Sequence, residues 1–74
     1  MATKQDQFLE RLRKRLVKLR KDAGLTQESL AKKANIDRAA LANIETGSRY
    51  PTVTTIYKIS IALKVKAEDV FKGL

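Results

Sequence analysis

The segment from Gly24 to Pro51, GLTQESLAKKANIDRAALANIETGSRYP, most constrains what this chain can become. Thr26 offers a hydroxyl N-cap, Gln27 and Glu28 follow where a helix end is positive, and Leu30, Ala31 and Ala34 recur as an inward stripe. Asn35, which tolerates positive φ better than most residues, stands where the chain must turn. Asp37 is placed to cap a second helix from Arg38 to about Thr46, with Leu41 and Ile44 inward and Gly47 as terminator. Two amphipathic helices this short do not persist alone. They must cross one another and rest on further apolar surface.

The flanks supply that surface. Phe8, Leu9, Leu12, Leu16, Leu19 and Ala23 recur at steps of three and four, with Arg11, Arg13, Lys14, Arg15 and Lys18 on the other faces, so a long amphipathic helix precedes the segment. Gly24 stops it, with Arg20 and Lys21 at its negative end, and the first few residues are expected to fray. After a loop of Ser48, Arg49, Tyr50 and Pro51, Thr52 caps a fourth helix whose core face is Ile56, Ile59, Ala62 and Leu63. Lys64 to Lys66 form a short link. Ala67 to Phe71 make a last short helix, with Val70 and Phe71 closing the core and Gly73 ending it. No stretch alternates as a strand does, so the expected fold class is all-α: five compact helices in a single domain over residues 1–74, its core about 8–72.

Composition narrows the function. The 74 residues contain no Cys and no His, which removes zinc fingers, thiol chemistry, disulfides and imidazole catalysis. A net charge of +8 points to a polyanionic partner, and residues 1–24 carry eight basic and three acidic groups. No apolar run is long enough for a membrane span or a secretory signal, so the expected compartment is the cytoplasm, on the nucleoid in a bacterial or phage setting. No carboxylates are spaced as a metal or acid–base pair and no Gly-rich phosphate cradle is present, so neither an enzyme nor a cofactor is expected. A small-molecule pocket is not evident.

The order of Leu19-Arg20, Gly24-Leu25-Thr26-Gln27-Glu28, Leu30-Ala31, Ile36-Asp37, Leu41, Ile44-Glu45-Thr46-Gly47, Arg49, Pro51 and the run Ile56 to Leu63 resembles the helix-turn-helix domains of lambdoid phage repressors and Cro. The resemblance covers about Leu12 to Phe71. It implies a lambda-repressor-like domain in which the second and third helices form the helix-turn-helix, and a DNA-binding transcription regulator. At this size it is similar to the small controller proteins of restriction-modification systems or to compact phage repressors, which typically act as homodimers on palindromic operators. It further implies that Arg20 and Glu45 pair across the first and third helices, making Glu45 a structural acid, and that Gln27 binds the DNA backbone.

On that reading the third helix enters the major groove. Arg38 matches guanine O6 and N7, Asn43 matches adenine N6 and N7, and Ala39 suits a thymine methyl. Alternatively Arg38 pairs with Asp37 or a phosphate. Thr26 and Gln27, at a helix N-terminus, and Ser48, Arg49 and Tyr50, past the recognition helix, are the candidate backbone contacts. Lys32, Lys33 and the basic face of the first helix read as solvated charge. Tyr57 and Ile61 lie off the core stripe and, with Val53, Phe71 or Leu74, form a candidate two-fold interface. Activation would add RNA polymerase as a partner; repression needs only promoter occlusion. The competing reading from another class is a protein-interaction module, such as an antitoxin neutralising a protein partner, and non-specific nucleic-acid binding ranks last because Phe8, Tyr50, Tyr57 and Phe71 make no stacking platform.

Overall fold

A computed structural model describes residues 2–74 as five helices: α1 (Lys4–Asp22), α2 (Gln27–Ala34), α3 (Arg38–Thr46), α4 (Val53–Leu63) and α5 (Ala67–Val70). No strand occurs among the described residues. Three of the helices start on threonine. Thr3, Thr26 and Thr52 each accept a hydrogen bond from the backbone N–H three residues on, and the side chains of Asp6 and Ser29 return the bond to the first two caps. The Thr3–Asp6 pair corrects the expectation of a frayed start, since reciprocal capping satisfies two backbone donors and lets the helix begin at Lys4.

Three helices also end alike. Leu25 donates to the Arg20 carbonyl, Ile36 to Ala31 and Val65 to Ser60, each bond closing over a left-handed residue: Gly24, Asn35 and Lys64. Leu25, Ile36 and Val65 then pack against the core, so each exit turn adds an apolar side chain to it. Asn35 turns the chain where its sequence suggested. Lys64 at φ 60° was not foreseen, because lysine has no intrinsic preference for that region and the helix-ending bonds impose it.

The core is one cluster, with Leu16, Leu30, Leu41, Ile59 and Val70 almost fully enclosed. α2 packs on α3 and α4, α1 packs on α3 and α5, and α5 closes against α4. Three expected core residues differ. Ala23 is exposed at the end of α1, and Phe8 and Phe71 are 40% and 43% exposed, their rings lying nearly parallel at a centroid separation of 6.5 Å. Leu74, a candidate for the two-fold interface, packs partly buried against the core of its own chain. α5 ends at Val70, ahead of the stop expected at Gly73, where φ is 81°.

Leu16 sits at the centre of α1's inner face, 1% exposed. Leu16→Ala is expected to cost about 2–5 kcal/mol, a large share of the stability of a domain this small, with the urea midpoint as the readout.

Candidate nucleic-acid interface

The third helix is held in place by one carboxylate. Glu45 accepts from Arg20 Nε at 2.8 Å through Oε2, and from Arg20 Nη2 and Gln27 Nε2, each at 3.0 Å, through Oε1. Arg20 Nη1 donates to the Leu25 carbonyl at 2.8 Å. The side chains are 12% and 4% exposed, so α1, the α1–α2 turn, α2 and α3 meet in one dry polar knot. Bidentate geometry and the extra donors are what make such burial tolerable. Among the described residues no buried side-chain polar atom lacks a partner. The pair implied by family resemblance is therefore present, and Gln27 belongs to it as well.

A second arginine secures the same C-terminal end of α3. Arg13 Nη1 donates to the Glu45 carbonyl at 3.2 Å, while its Nε is held by Glu10 at 2.8 Å. A Cβ on Gly47 would stand 3.2 Å from Arg13 Cδ, and Gly47 has φ 86°, so both the turn and the close approach of Arg13 call for glycine. Two further end carbonyls are used: Ile44 accepts from the Gly47 N–H, and Asn43 from the Arg49 N–H and the Thr46 hydroxyl. The hydrogen bond from Arg13 holds the Glu10 carboxyl below its usual range, with smaller contributions from the charges of Arg13 and Lys14. The contact is therefore fully present at neutral pH and fades as acid carries Glu10 through its lowered value.

With its C-terminal end fixed in this way, α3 turns Arg38, Ala39 and Asn43 to solvent, all exposed. Arg38 takes part in none of the ion pairs among the described residues, so the pairing with Asp37 is not made. Asp37 occupies the N-cap position but its side chain makes no capping bond, a departure from the sequence expectation. Leu41, Ile44 and Glu45 form the buried side of the same helix.

Around this face lie the other candidates. Thr26 and Gln27 sit at the start of α2, where the first amides have no intrahelical partner. The Thr26 hydroxyl is engaged with Ser29. Gln27 Nε2 spends one donor on Glu45, leaving its second N–H. Ser48, Arg49 and Tyr50 are exposed in the loop after α3, and the Ser48 hydroxyl lies 3.1 Å from that of Thr46. A groove of about 330 Å³ beside α3 brings Arg49 close to Lys58 of α4, with Asp37 and Ala40 also on its walls. Lys58 was not singled out from sequence because nothing local marks a residue in the middle of α4 as facing that loop.

The helix-turn-helix family pattern matches residues 16–70, most of the chain, with α2, α3 and the Arg20–Glu45 pair inside it and Glu10 and Arg13 ahead of it. The chain belongs to that family. It is 35% identical over 60 residues to an uncharacterized HTH-type transcriptional regulator of Archaeoglobus fulgidus, covering 81% of this chain and 86% of that protein. It is 41% identical over 58 residues to the HTH-type regulator YqaE of Bacillus subtilis, covering 78% of this chain and 50% of that one. Among solved structures, the restriction-modification controller protein C.AhdI from Aeromonas hydrophila superposes with a TM-score of 0.82 at 33% identity, covering 85% of this chain and 96% of that chain. The wild-type controller protein C.Esp1396I gives a TM-score of 0.82 at 34% identity, covering 88% and 86%. This helix-turn-helix chain is thus a DNA-binding regulator and not an enzyme. No described helix is long and apolar enough to cross a membrane.

Arg20→Ala strands the Glu45 carboxylate in the core and is expected to destabilise the fold by about 3–5 kcal/mol, whereas removing both charges together with apolar replacements costs much less. Chemical denaturation of the single and double variants checks this; equal losses would show that the knot is not energetically coupled.

Proposed function

We propose that the protein is a sequence-specific regulator that binds a pseudo-palindromic operator as a homodimer, with α3 in the major groove. The observation that carries the reading is the state of α3: its inner side is locked by Glu45 and its outer side presents an unpaired Arg38 beside Ala39 and Asn43. Arg38 is assigned to a guanine edge, Asn43 to an adenine and Ala39 to a thymine methyl. Thr26, Gln27, Ser48, Arg49 and Tyr50 are assigned to the flanking phosphates, where they set register without reading sequence.

The dimer follows from α4. Val53, Tyr57 and Ile61 recur every four residues and are 87%, 59% and 59% exposed, an apolar line that no element of the same chain covers. A second copy laid two-fold against it would set the recognition helices about 34 Å apart, one turn of DNA. Control of restriction-modification genes, the role named for the solved neighbours, fits such an arrangement.

Selection of bound sequences from random duplex DNA tests the reading, with enrichment of a palindrome as the expected result. On the enriched duplex, Arg38→Ala should lose about 1–3 kcal/mol of discrimination at one symmetric position while helicity is unchanged. Undiminished discrimination removes Arg38 from the readout.

In sedimentation, Tyr57→Glu with Ile61→Lys should shift the protein toward monomer. A dimer unaffected by both changes places the interface elsewhere.

A further inference from the structure

The cations outside the α3 surface are not scattered. On α1, Leu9, Leu12, Leu16 and Leu19 turn inward, Arg13 and Arg20 reach α3 along one flank, and Phe8 and Arg15 reach α5 along the other. Opposite the leucines stand Lys4, Gln7, Arg11, Lys14, Lys18 and Lys21, all exposed. They follow one another at alternating steps of three and four residues, the spacing that lines side chains up along a helix. From Lys4 to Lys21 the line rises about 26 Å. Five of its six members are cations.

Little acid offsets it. Glu10 lies 3.5 Å from Lys14 and is also claimed by Arg13, and Asp22 lies 2.8 Å from Lys18. Lys4, Arg11 and Lys21 enter no ion pair among the described residues. Lys64, Lys66 and Lys72, all exposed, follow in the segment from the end of α4 through α5, which also carries Glu68 and Asp69. Five of the chain's sixteen cations thus sit on the stripe, whereas α3 packs on another flank of α1.

We propose that the α1 stripe binds the phosphate backbone of a second DNA duplex while α3 holds the first, so that the protein bridges two DNA segments. This rests on the reading that α3 engages DNA. Duplex DNA carries one negative charge per about 1.7 Å, so a stripe of this length faces many phosphates wherever it lands and needs no sequence. Each contact is weak, but neighbouring cations along the stripe act together on one backbone. An anionic membrane fits less well, because a surface helix inserts the apolar face beneath its cations and that face of α1 is spent in the core. A protein partner would need an aromatic or aliphatic anchor, and the stripe has none.

The test uses a bead-tethered duplex of mixed sequence and a fluorescent duplex of the same composition in solution, at low salt. Wild-type protein should retain the fluorescent duplex on the beads. The triple variant Arg11→Gln, Lys14→Gln, Lys18→Gln should lose at least about tenfold of that retention while its affinity for a single duplex, and the salt slope of that affinity, stay near wild type. Its helical circular dichroism should be unchanged, since glutamine is a good helix former. Retention by the triple variant equal to wild type overturns the proposal, and so does a wild-type protein that retains nothing. A triple variant whose single-duplex salt slope falls by about three places the stripe on the same duplex as α3 and equally overturns it. So does release of the retained duplex by anionic lipid vesicles in preference to competitor DNA. Failure of the α3 reading has a separate signature: Arg38→Ala with Arg49→Ala would then bind a single duplex as well as wild type.

Discussion

The geometry of this protein depends on the Glu45 carboxylate. A lone ionised group in so small a core would be untenable, and its three donors turn that liability into a joint. Arg20 brings α1, its contact with the Leu25 carbonyl brings the first turn, and Gln27 brings the start of α2. The apolar packing of Leu30, Leu41 and Ile44 would permit several crossing angles between α2 and α3 at similar cost. The Gln27–Glu45 bond between the two helices, at 3.0 Å and with Glu45 fixed by the bidentate Arg20 of α1, tolerates few of these angles. The outward direction of Arg38, Ala39 and Asn43 follows from that selection.

The basic charge divides into classes that composition alone does not separate. Arg13, Arg15 and Arg20 are structural: their guanidinium groups satisfy carbonyls at the ends of α3 and α5 and at the first turn, where a planar group with several donors serves better than an ammonium. Arg38 and Arg49 are exposed and enter no ion pair among the described residues, on the face proposed to meet DNA. Of the rest, five line the outer side of α1, three lie in the C-terminal segment, and Lys32, Lys33 and Lys58 stand on α2 and α4. A charge of +8 is therefore several separate features with different directions and different salt dependence.

Much of this was legible in the sequence because it is local. The caps at Thr26 and Thr52, the turn at Asn35, the stop at Gly47 and the core stripes of α2, α3 and α4 are each written within a few residues. What stayed hidden is non-local. Nothing near Arg13 or Arg15 announces a partner more than thirty residues away, and the Arg20–Glu45 pair was expected only from family resemblance. The same holds for Phe71, which meets the Phe8 ring from the far end of the chain and stays half exposed. Asp37 has the right residue type and the right position for a cap, yet its side chain makes no bond, so propensity at that position was a poor guide. The backbone face of α3 was readable from its apolar residues, but which of its outward side chains stay unpaired required the structure.

The most direct measurement is the map of backbone amide chemical-shift changes as the protein is titrated with its selected duplex. The account predicts the largest changes at the exposed side of α3 from Arg38 to Asn43, in the loop Ser48 to Tyr50 and at the first amides of α2, with the buried leucines of α1 nearly silent. Changes centred on α4 or α5, with α3 undisturbed, would contradict it.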